Sequence, residues 1–139
     1  MDAYQIKTTP DPLEPYLIAQ GYRVGGLIFL SGQAAIDDDG NLVGVNDFQK
    51  QVAQTFANIA KLLESSGSGL SKIIKVTIYV TDMGRFPDII EMRRQYFTPP
   101  YPADTVVEVR SLALPELLIE VDVTALADGK IVAAAGGLA

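Results

Sequence analysis

Ile74-Lys75-Val76-Thr77-Ile78-Tyr79-Val80-Thr81-Asp82 alternates apolar and polar side chains through a β-branched run. In an extended chain Ile74, Val76, Ile78 and Val80 fall on one side and Lys75, Thr77, Tyr79 and Thr81 on the other, the pattern of a sheet with one buried face. Such a face needs a cover, and each flank offers a helix. Upstream, Phe48, Val52, Phe56, Ile59 and Leu63 recur every three or four residues. This predicts a helix running to Glu64, capped by Asn46 or Asp47 and stopped by Ser65-Ser66-Gly67-Ser68-Gly69. Downstream, residues 84–97 read as a second helix with Phe86, Ile89, Ile90 and Phe97 inward, closed by Thr98-Pro99-Pro100.

Further out the chain is β-rich. Residues 4–7 suit an edge strand, and Pro10, Pro12 and Pro15 keep the next stretch extended or turned. Residues 17–24 and 27–30 flank Gly25-Gly26, a hairpin signal. Asp37-Asp38-Asp39-Gly40-Asn41 reads as a turn, because it lacks the spaced ligands and terminal glutamate of a calcium loop. Two last strands, about 105–112 and 116–126, are joined through Ala113-Leu114-Pro115. As a hairpin they would set Glu108 opposite Glu120, with Arg110 as a diagonal neighbour. The expectation is one α+β domain over 1–139, a mixed sheet covered by two helices, with no internal repeat and an apolar tail over 127–139 fit to dock somewhere.

The bulk properties narrow the chemistry. With 139 residues and 48% hydrophobic content the chain can build a single core. No apolar run is long enough to span a bilayer, and the N-terminus lacks a signal-peptide pattern, so a cytoplasmic location without membrane partners is expected. A net charge of −6 makes nucleic acid an unfavourable partner. With no cysteine and no histidine, thiolate chemistry, disulfides and the commonest metal ligands are excluded. Any reaction falls to carboxylates, hydroxyls, amides, Lys, Arg or water, with no metal and no cofactor expected.

Several ordered segments between residues 13 and 126 resemble one family. Glu14-Pro15-Tyr16 is similar to its Gly-Pro-Tyr segment, Leu30-Ser31-Gly32-Gln33 to its Ser-Gly-Gln turn, and 74–82 to its central strand. Phe86 and Tyr96-Phe97 fit its second helix, Pro102-Ala103 its proline-alanine strand, and Ile119-Glu120-Val121-Asp122 its glutamate-bearing last strand. On these segments the chain is identified as a member of the reactive-intermediate deaminase family, RidA or YjgF. The resemblance implies a chorismate mutase-like fold, a homotrimer with intersubunit clefts, and hydrolysis of imines or enamines. It assigns Glu120 to the attacking water, Tyr16 to orienting the ligand, and Ser31, Gly32, Phe86, Thr105 and Val106 to the pocket. Periodicity alone says only that Glu120, Asp122 and Thr124 face away from Ile119, Val121 and Val123, which also suits a solvated sheet face.

The departures bear on the ligand. Asp104 stands where the family carries the arginine that clamps the carboxylate of an α-imino acid, Ile90 replaces a frequent asparagine, and Val106 replaces a frequent cysteine. An anionic α-imino acid 4 Å from Asp104 would be repelled by about 1 to 4 kcal/mol, for effective dielectrics between about 80 and about 20. Arg93 or Arg110 could supply a cation instead, although Arg93-Arg94 also suits a solvated helix face and Arg110 lies about 20 Å of strand from Asp104. The expected ligand is therefore a neutral or cationic imine, enamine or related C–N compound. The alternatives are a noncatalytic ligand-binding or protein-interaction trimer and, ranking lowest, a ribonuclease.

Overall fold

The structure, a computed structural model, describes residues 1–135. The first hairpin forms as expected: β1 (Ala3–Ile6) pairs with β2 (Gly21–Val24), and β2 turns through Gly25-Gly26 into β3 (Leu27–Leu30). Gly25 supplies the positive φ of 57° that the tight turn requires. After a break at Ser31-Gly32 the chain resumes as β4 (Gln33–Ala34). The acidic turn satisfies itself, since Asp37 Oδ1 accepts the backbone N–H groups of Asp39 and Asn41 while Asp38 pairs with Lys61.

Helix α1 (Phe48–Ser65) is capped by Asp47, whose side chain accepts from the Lys50 N–H. Its buried stripe contains Phe48, Val52, Phe56, Ile59 and Leu63 as the spacing predicts, and also Gln51. Strand β5 (Ile73–Val80) carries a bulge between Ile73 and Lys75, so Ile73 rather than Ile74 is the buried residue at its start. Helix α2 (Phe86–Tyr96) buries Ile89 and Met92, followed by Phe97, whereas Phe86 and Ile90 are exposed rather than inward.

The last two strands correct the predicted hairpin. β6 (Ala103–Glu108) pairs parallel to β5 and ends the sheet, while β7 (Ile119–Leu126) inserts between β3 and β5, giving the order β1-β2-β3-β7-β5-β6 with β4 also on β7. The chain 73–108 is thus a β-α-β crossover, and Ala113-Leu114-Pro115 lies in a long return path instead of a tight turn. Glu108 accordingly sits beside Val80, its carboxylate accepting the Met83 N–H, and does not face Glu120. Both helices cover one face, where Ile28, Val76, Ile78, Val121 and Val123 meet Phe56, Ile59 and Ile89. Among the described residues no helix covers the other face. The tail remains exposed from Val132 to Ala135, and residues 136–139 lie outside the described part.

Candidate active site

Glu120 lies on the uncovered face of β7, between Ala34 on one side and Tyr79 on the other. Its carboxylate rests against Gly32, where an added Cβ would come within 2.4 Å of Oε2. Glycine at the break between β3 and β4 therefore makes room for the acid. Ser31 holds that break in place: its N–H donates to the Gln20 carbonyl and its hydroxyl to the Ala19 carbonyl. Burial, with Asp122 two residues along the same face adding like charge, pushes the Glu120 carboxyl above the ordinary glutamate range. Asp122 in turn accepts from the Tyr79 hydroxyl at 3.2 Å, and its charge raises the phenol. Half-buried, with its affinity for a proton raised, Glu120 has the properties of a general base toward a water molecule.

A second cluster occupies the helix-covered side of β6. Asp104 is not a free carboxylate. Arg93 reaches across from α2 and donates twice, Nε to Oδ2 at 2.9 Å and Nη2 to Oδ1 at 2.7 Å. The two side chains are 26% and 18% exposed, dry enough for the fork to matter. The guanidinium also lies 5.5 Å from the ring centre of Phe86, a cation–π contact. Together they open onto a cavity of about 380 Å³ whose remaining wall is apolar, from Phe97, Tyr101, Pro102 and Val106.

One chain does not unite the two clusters. Asp104 pairs with Val76 and Val76 with Val123, all pointing to the helices, whereas Tyr79 pairs with both Glu120 and Val107 on the open face. Phe86, Asp104 and Val106 thus come together on one side of the sheet, and Ser31, Gly32 and Glu120 are grouped at the break on the other. Thr105 points to the open face, where its hydroxyl accepts from Lys75. Tyr16, on a short 3-10 turn over Glu14–Tyr16, is 70% exposed. Arg93 is the residue whose place sequence reasoning left open between a solvated face and a replacement cation. A signal existed, because Phe86 and Arg93 are seven residues apart and hence on one helix face. Arg94, by contrast, remains at the surface with Glu91.

Residues 6–127 match the family model described as endoribonuclease L-PSP. A RutC family protein of Pyrococcus abyssi is 34% identical over 84% of this chain and 89% of its own. A 2-iminobutanoate/2-iminopropanoate deaminase of Dermatophagoides farinae is 31% identical over 74% of this chain and 79% of its own. Among solved structures, RidA from the Antarctic bacterium Psychrobacter sp. superposes with a TM-score of 0.79 at 27% identity, covering 88% of this chain and 98% of that one. A single mixed-sheet domain with two covering helices is the RidA-type fold of that neighbour. The chain belongs to the RidA/YjgF family.

Proposed function

We propose that this protein hydrolyses a neutral or cationic imine, enamine or related C–N compound, in a cleft that two copies of the chain build within a homotrimer. The observation that carries the reading is Glu120, half-buried over Gly32 with its proton affinity raised by burial. Its carboxylate takes a proton from water as the water oxygen bonds to the imine carbon, and the C=N electrons move to nitrogen. Returning that proton to nitrogen gives a carbinolamine; the carboxylate then carries the hydroxyl proton to the amino nitrogen as C=O forms and the C–N bond breaks, so that imine and water become carbonyl compound and ammonia. Tyr16 and the Ser31-Gly32 turn would position the ligand, with the second copy bringing the Asp104 side of its sheet to the same cleft. Two carboxylate-bearing walls from opposite sheet faces support that division, since one copy cannot present both to a small molecule.

The α-imino acids are expected to be poor substrates. Arg93 stands near the place of the family arginine, but its Nε–Nη2 fork already holds Asp104, so a ligand carboxylate would be the second anion around one guanidinium. An assay that generates imines in situ and follows ammonia release tests this. Neutral imines should turn over faster than 2-iminopropanoate, and Glu120→Gln should lower turnover by about a hundredfold or more, the scale of general-base catalysis. A noncatalytic binding trimer is favoured by one observation, the commitment of Arg93 to Asp104. It predicts ligand binding with equal, background-level imine loss in wild type and Glu120→Gln.

A further inference from the structure

We infer that the Arg93–Asp104 pair is the specificity element of the cavity and selects an uncharged ligand with an amide-like edge, one hydrogen-bond acceptor beside one donor. The inference rests on the hydrolase reading only for what happens next to the ligand, and narrows its neutral-or-cationic substrate to the neutral class. Arg93 engages Asp104 through Nε and one N–H of Nη2, which leaves the second Nη2 N–H, next to Asp104 Oδ1, and the two of Nη1 outside the pair as donors for a ligand. Each carboxylate oxygen of Asp104 can accept a second hydrogen bond. Donor and acceptor therefore stand side by side in a wall whose charges cancel. The opposite walls, Phe97, Tyr101, Pro102 and Val106, suit a flat apolar body.

Charged ligands fit this wall poorly. An anion on the free Nη1–Nη2 edge of Arg93 would place two carboxylates around one guanidinium, whose charge Asp104 already balances. A cation meets an Asp104 whose charge Arg93 already balances, and lies beside that guanidinium in a partly desolvated site. The ring of Phe86 at 5.5 Å fixes the guanidinium from the other side, so Arg93 is restrained from swinging away to accommodate either ion.

Three probes of one shape separate the possibilities: benzamide, benzoate and benzamidinium, titrated into the intact protein while NMR follows the Val106 methyl groups and the Phe86 ring. Benzamide should bind most tightly, with the two ions about tenfold weaker, a difference of about 1.4 kcal/mol. Asp104→Asn should move benzoate to first place by leaving Arg93 unbalanced, and Arg93→Gln should move benzamidinium there. The double variant, neutral again, should restore the preference for benzamide. Benzoate or benzamidinium binding wild type as tightly as benzamide overturns the inference, as does the absence of any shift at Val106 and Phe86. So does an order that stays the same in both single variants; should either unfold, the wild-type order and the double variant decide. Because no turnover is read, an inactive protein that keeps this order loses only the hydrolase reading, while an active one that prefers benzoate loses only this specificity.

Discussion

Asp104 shows how one side chain changes meaning with its partner. Alone it would repel an anionic ligand; joined to Arg93 it becomes half of a neutral wall. Breaking a buried pair costs about 3–5 kcal/mol and an exposed one about 0–1, so Arg93→Ala or Asp104→Ala at this partial burial should each lower stability by about 1–3 kcal/mol. Denaturant unfolding measures it, and the double variant should lose less than the sum by at least about 0.5 kcal/mol. The carboxylate was legible in the sequence, and its partner only as one of two candidate arginines, because the pairing depends on how α2 sits over β6. Gly32 was legible as a place of close approach, but only the folded chain shows that Glu120 is what approaches. That acid also sets a pH dependence. Since the fold raises its pKa, the native state holds more protons than the unfolded chain between the two values. Its contribution to stability is therefore greatest below the unfolded pKa and is lost as pH rises through the folded one. Glu120→Gln should flatten that slope in melts taken from about pH 4 to about pH 7. Activity should move the opposite way, falling as the carboxylate protonates on acidification, and a pH profile of kcat/KM checks that sign.

At the scale of elements, periodicity located both helices and most strands because burial of one face leaves a repeat of 3.6 or 2 in the chain. It did not give the pairing of β6, since a half-buried strand looks the same beside a parallel or an antiparallel neighbour. The turn-like Ala113-Leu114-Pro115 suggested the nearer partner, and the crossover through α2 won. Insertion of β7 between β3 and β5 is what brings Glu120 beside the Gly32 break, and the same insertion separates Glu108 from Glu120, which the misread hairpin had set face to face. Gln51 was hidden within the apolar stripe of α1 for a related reason. Fully buried, it donates to the Gly44 and Glu116 carbonyls and accepts the Leu118 N–H, tying α1 to the long return path just before β7. Replacing it by Leu removes hydrogen bonds to three backbone groups in part-buried surroundings, where a group left unpaired costs up to about 1–3 kcal/mol. Gln51→Leu should therefore cost about 2–4 kcal/mol despite its apolar surroundings, read as a lower denaturation midpoint with an unchanged m value.

For the whole molecule the decisive feature is a sheet with one covered and one bare face. Tyr22, Phe29 and Thr124 are cross-strand neighbours on the bare face, with Tyr22 and Phe29 more than 40% exposed and Val107 near the sheet edge. Aromatic side chains left over a sheet mark an interaction surface, and Glu120 lies on that same face. The alternation of polar and apolar residues announced this face in the sequence, but the number of copies that share it leaves no periodic trace. If the homotrimer forms there, association and chemistry depend on one surface. Light scattering at micromolar concentration should give three chain masses. Phe29→Glu, which adds a charge to the bare face without touching the helix-covered core, should shift the protein toward monomer and remove imine hydrolysis in step, with native circular dichroism retained. A wild-type monomer under those conditions would defeat the shared cleft. A monomeric Phe29→Glu that keeps full activity would place the whole reaction within one chain, contrary to the opposite facing of Glu120 and Asp104.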